Sequence, residues 1–127
     1  GDGKADEVRM PLLRYFEDPD FFHLSEEGES VIFRAKCGGA TTENSDYPRS
    51  ELRELQKDGK TKAAWSTTSG SHNLTIEFAF NKLPKKKSHA VAAQIHDGDN
   101  DLLMVRLEGK KLFLERRGAE DFVLVDD

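Results

Sequence analysis

Short runs that alternate apolar and polar residues at a period of two, each closed by a polar turn, restrict this chain to strands. Residues 74–80 ("LTIEFAF") set Leu74, Ile76, Phe78 and Phe80 against Thr75, Glu77 and Ala79. Residues 89–96 ("HAVAAQIH") set Val91, Ala93 and Ile95 against Ala92, Gln94 and His96. Residues 31–37 ("VIFRAKC") alternate Val31, Phe33, Ala35 and Cys37 with Ile32, Arg34 and Lys36. Side chains two apart on a strand share a face, so each run offers one face to a core. Three further strands are predicted at "LLMVRLE", "KLFLERR" and "DFVLV", with "DGDND", "GK" and "GAE" as the turns. Only "LLRYF", residues 12–16, hints at helical periodicity. Short strands between polar turns predict an all-β fold, an antiparallel sandwich.

Charge narrows the partners. The net charge is -5, with nine acidic and three basic residues among the first 29 and 15 acidic against 16 basic in the rest. No basic stripe dominates, so a nucleic-acid partner is not implied. No apolar run approaches the roughly 18 residues of a membrane helix, so no membrane partner is expected either. The first ten residues lack the apolar centre of a signal peptide, and the chain reads as soluble. Cys37 is the single cysteine, which argues against a multi-cysteine metal site. It reads either as a buried thiol acting as a small apolar group or as half of a bridge to a partner outside the chain.

The chemical signals lie on two stretches. In "YPRSELREL", residues 47–55, Arg49, Glu51 and Arg53 alternate, so a strand there carries three charges on one face. That is either an exposed strand with ordinary ion pairs or an anion-binding surface, with Arg presenting its planar fork to a carboxylate and Glu51 holding the guanidinium. Gln94 and His96 share a face of the second stretch and place an amide donor beside a group that titrates near neutrality, as proton abstraction next to a carboxylate requires. Asp97, Asp99, Asp101 and Glu108 fall at positions 1, 3, 5 and 12 of a calcium-loop template, but Leu102 stands where that loop needs glycine. A polar hairpin turn is the reading there, and no metal is expected. Lys85, Lys86 and Lys87 read as a solvated turn, and Trp65 either as a sugar-stacking ring or as a half-buried side chain.

Taken together, "RSELR" at 49–53 and "QIH" at 94–96 resemble the R-[ST]-E-[LV]-R and Q-[IV]-H motifs of alginate lyases of polysaccharide lyase family 7. "CGGATT" and "AAQIHDGDNDLLMVRLEG" are similar to the bacterial, secreted branch. The resemblance implies a β-jelly roll of two antiparallel sheets, a secreted protein, an alginate substrate cleaved by β-elimination in endo fashion, and no metal or organic cofactor. It implies that Arg49 and Gln94 neutralise the substrate carboxylate, that His96 assists proton abstraction, and that Glu51 and Arg53 support the site. The family's acid is a Tyr in a C-terminal Y-F-K-x-G-x-Y motif, which matches neither Tyr15 nor Tyr47. Residues 1–127 are therefore expected to be the N-terminal portion of a single domain, completed by a C-terminal segment, with Cys37 either tethering that segment through a disulfide or staying reduced as a buried apolar side chain. The alternative is a non-catalytic polyuronate-binding module or an inactive fragment.

Overall fold

The structure is a computed structural model that describes residues 5–43 and 45–126; Asn44, in the predicted "GGATTENSDYP" loop, lies outside it. The chain forms two compact units, one up to Ala63 and one from Ala64. All strand pairing is antiparallel, and no α-helix occurs among the described residues.

In the first unit the helical hint at 12–16 becomes a single 3-10 turn, Leu12–Tyr15, behind Pro11. β1 (Phe22–Leu24) pairs with β2 (Val31–Phe33), matching Phe22 with Phe33, whose rings meet edge-on at 5.3 Å. β2 is shorter than the alternation through Cys37 predicted. Its partner is bent away just before Phe22, where the Asp18 carboxylate accepts the Asp20 and Phe21 amides at 2.8 and 3.0 Å. Beyond the Arg34 amide, which bonds the Phe21 carbonyl at 3.0 Å, β1 has no backbone left to offer, and residues 36–39 turn with Gly38 at φ 75. Cys37 is accordingly a free, exposed thiol and not the buried apolar group of one sequence reading.

The second unit holds a four-stranded meander in the order β3 (His89–His96), β4 (Asp101–Glu108), β5 (Lys111–Arg116) and β6 (Phe122–Asp126). These are the strands expected at the C-terminal end of the sequence, and Gly109 takes the φ of 60 that the "GK" turn demands. One expectation fails inside β3. Val91 pairs with Arg106 and Ala93 with Val105, so Ala92 is an inserted residue. This bulge moves Val91 away from the face of Ala93 and Ile95 and onto that of Gln94. The sheet therefore has an aliphatic face, with Ala93, Ile95, Leu103, Val105, Leu107, Leu112 and Leu114, and a polar one, with Gln94, Arg106, Glu108 and Glu115.

Residues 74–80 form no strand despite their alternation, because no ladder partner faces them among the described residues. Leu74, Ile76 and Phe78 stay more than two-fifths exposed. No described side chain is fully buried, and β6 leaves Phe122, Val123, Leu124 and Val125 exposed on both of its faces.

Candidate functional site

The charged stretch at 49–53 is not a strand. Beyond it, the chain makes one bridge, Leu55 to Lys62, in a hairpin whose turn is set by Asp58. The Asp58 carboxylate accepts the Lys60 and Thr61 amides at 2.9 Å each. The Thr61 hydroxyl and these two amides hold its pKa below the usual carboxylate range. Ser50 fastens the stretch to β1 by donating its hydroxyl to the Phe21 carbonyl at 2.8 Å. Arg49 donates to Glu51 at 3.3 Å. The pair is partly exposed, 40% and 33%, so it contributes at most about 1 kcal/mol and leaves the guanidinium open to an anion from solvent. Arg53 turns elsewhere and reaches the Ala63 carbonyl at 3.4 Å, bracing the hairpin.

Gln94 and His96 lie on β3, in the second unit, and both are half-buried. Gln94 faces Met104 across the ladder, while His96 faces Asp101 because Leu102 is an inserted residue in β4. The His96 Nε2 sits 2.9 Å from Asp101 Oδ1, with both atoms withdrawn from solvent and the ring N–H direction off the line of a hydrogen bond. The His96 carbonyl accepts the Trp65 amide at 2.9 Å. Trp65 is half-buried and stacks on His72, ring centroids 4.9 Å apart.

Three of the four acidic positions of the calcium-loop template are otherwise occupied. Asp97 accepts the Asp99 and Asn100 amides at 2.8 and 2.6 Å and closes the β3–β4 turn. Those amides lower its pKa, with Arg117 and His96 adding smaller attractions. Asp101 faces His96, and Glu108 pairs with Arg106 at 2.9 Å and with His89 at 3.4 Å. Asp99 is exposed at the tip of the same turn, and Lys85, Lys86 and Lys87 are exposed in the bend before β3.

A cluster that sequence reasoning missed lies on the same polar face as Gln94. Arg106 contacts Glu108, Glu115 and Asp121 and stands 5.8 Å from the centre of the Phe113 ring. It ties β4, β5 and the β5–β6 loop together. The alternation of Met104, Arg106 and Glu108 in "LLMVRLE" already put two of these charges on one face. Their meeting with Glu115 and Asp121 needed the register of the facing strand.

Against known proteins, a family model described as Alginate lyase matches residues 1–122. A curated alginate lyase of Klebsiella pneumoniae is 43% identical over 65 residues, which is 50% of this chain and 21% of that protein. The solved structure of "Alginate lyase AlgAT5 from Polysaccharide Lyase family 7" is 44% identical with a TM-score of 0.78, covering 94% of this chain and 56% of that one. The alginate lyase from Corynebacterium sp. is 42% identical with a TM-score of 0.79, covering 93% of this chain and 53% of that one. The chain thus spans about half the length of the solved relatives and about a fifth of the curated one. With its two antiparallel sheets, it has the all-β, jelly-roll class expected from the sequence. By its match over residues 1–122 and its likeness to these lyases, the chain belongs to the alginate lyase family and is similar in structure to a member of polysaccharide lyase family 7.

Proposed function

We propose that this chain supplies the carboxylate-binding and base-bearing part of an endo-acting, secreted lyase that cleaves alginate by β-elimination. The observation that carries the reading is the polar face of β3, where Gln94 and His96 stand two residues apart, with a carboxylate against His96, in a chain of the alginate lyase family.

The chemistry follows from the acidity of the bond to be broken. The C5 proton of a uronate is too weakly acidic to leave unless the charge that develops on the adjacent carboxylate is stabilised. Arg49, whose guanidinium is only partly engaged by Glu51, supplies positive charge, and the Gln94 amide supplies a hydrogen bond. Glu51 and Arg53 act as supports, one holding Arg49 and the other bracing the hairpin beyond it. His96 removes the C5 proton, the C4–O4 bond breaks as the double bond forms, and an acid protonates the departing O4. That acid, a Tyr by resemblance, belongs to a C-terminal segment that completes one domain with residues 1–127. The exposed Cys37 thiol suits a disulfide tether to that segment, and mass analysis with and without reductant tests it.

The full-length protein mixed with alginate should generate the ultraviolet absorbance of an unsaturated uronate, and viscosity should fall before short products accumulate. Retention on immobilised alginate without that absorbance would identify a polyuronate-binding module in place of an enzyme. The absence of both retention and absorbance would overturn the reading.

A further inference from the structure

The geometry points to Asp101 as a positioning residue that holds the His96 imidazole with its proton on Nε2, so that Nδ1 is the nitrogen that accepts the substrate proton. The inference rests on the proposed role of His96 as base and adds the atom and the residue that orients it.

Two independent features of the β3–β4 hairpin carry it. The first is the register. From Ala93–Val105 to Ile95–Leu103 the strands pair one to one, and continuing that count would set His96 opposite Leu102. The insertion of Leu102 brings Asp101 opposite His96 instead, and Leu102, without a partner on β3, turns its carbonyl toward β5, where it accepts the Arg117 amide at 3.1 Å. Bulges re-aim side chains in this way. The second is the contact itself. Asp101 Oδ1 and His96 Nε2 are 2.9 Å apart and both shielded from solvent. A lone pair on Nε2 would face a carboxylate oxygen at that separation and be repelled, whereas an N–H there is attracted, even off the ideal line. Among the described residues, Asp101 is the carboxylate in contact with Nε2, at 2.9 Å. Asp97 Oδ1 accepts its own turn amides, and the Arg117 backbone amide bonds the Leu102 carbonyl. One nitrogen of a neutral imidazole carries the proton and the other the lone pair, and a hydrogen-bonding neighbour decides which.

Nitrogen-15 NMR of the His96 ring in the full-length protein, above the pH of imidazole titration, tests this directly. The wild type should show the Nε2–H tautomer. Asp101→Asn, which can turn its NH2 toward Nε2, should move the proton to Nδ1 and lower kcat at least about tenfold with KM within about twofold. Asp101→Glu, which keeps a carboxylate, should restore the Nε2–H signature and part of kcat. An Nδ1–H tautomer in the wild type overturns the proposal and needs no variant to fold. A tautomer unchanged in Asp101→Asn, or a kcat unchanged despite a moved proton, overturns it as well. Full activity in His96→Ala would instead remove the base assignment, while the spectra would still decide whether Asp101 orients the ring.

Discussion

Two hairpins in this chain turn on the same device and end differently. In residues 54–63, Asp58 accepts the amides of Lys60 and Thr61; between β3 and β4, Asp97 accepts those of Asp99 and Asn100. The first hairpin then makes one bridge, Leu55 to Lys62, and the second runs through seven matched pairs from His89–Glu108 to His96–Asp101. The flanks explain the contrast. "ELQ" and "TKA" bring little apolar surface to face each other, whereas "AVAAQI" and "LLMVRL" cover one another along a whole face. A turn closes a hairpin locally, but cross-strand side-chain pairs extend it. The long hairpin can therefore hold His96 and Asp101 to a fixed separation, while Arg49 depends on Ser50, Glu51 and a short hairpin for its place.

The largest effects should come from removing the two groups that these contrasting settings present. His96→Ala should lower kcat by about 10² to 10⁴, as expected for loss of a general base, and Arg49→Ala should lower it by about 10² to 10³ with weaker alginate binding. Product absorbance under saturating alginate measures both. Near-normal turnover in either variant, with the fold intact by circular dichroism, would remove that residue from the mechanism.

A smaller effect distinguishes packing from chemistry in the long hairpin. Arg106→Leu would leave Glu108, Glu115 and Asp121 facing one another without their shared cation. The guanidinium is only 23% exposed, so a loss of about 2 kcal/mol in denaturant unfolding is expected, discounted from the cost of breaking a fully buried pair. The deficit in unfolding midpoint of Arg106→Leu relative to wild type should shrink at about 0.5 M salt, since salt screens the repulsion among the partly exposed carboxylates left behind.

The smallest effect bears on the comparison itself. Asp58→Ala should speed amide exchange at Gln56 and Ala63, whereas Asp97→Ala should speed it only in the turn and leave the amides of residues 90–95 protected. Acid should reproduce the pattern. Both carboxylates have pKa values lowered by the bonds they accept, so their contribution is present above the ordinary value near 4 and is lost as pH falls through the lower folded value. Equal fraying of the two hairpins on acidification would contradict the role assigned to ladder length.

Much of the fold was legible because period-two alternation and turn chemistry are local. Gly109 and the "GK" turn, the β3 to β6 strands, and the pairing of charges at Arg49 and Glu51 follow from neighbours within a few residues. Alternation alone misled where a ladder partner was wanting, at residues 74–80 and 34–37, since it sets which side chains share a face and not whether another strand comes alongside. The cluster around Arg106 was half legible, with its β4 members in the alternation and its β5 and loop members hidden until register was known.

By itself, then, the sequence determined the all-β class, the candidate residues Arg49, Glu51, Arg53, Gln94 and His96, and the resemblance that points to a polyuronate. Tertiary structure alone decided which residue faces His96. That choice depends on the inserted Leu102, and a one-residue insertion changes every cross-strand partner beyond it while leaving the amino-acid pattern unchanged. It likewise decided that Val91 joins the polar face and that Cys37 is exposed, because a bulge and the end of a partner strand are properties of two segments meeting, which no single segment encodes.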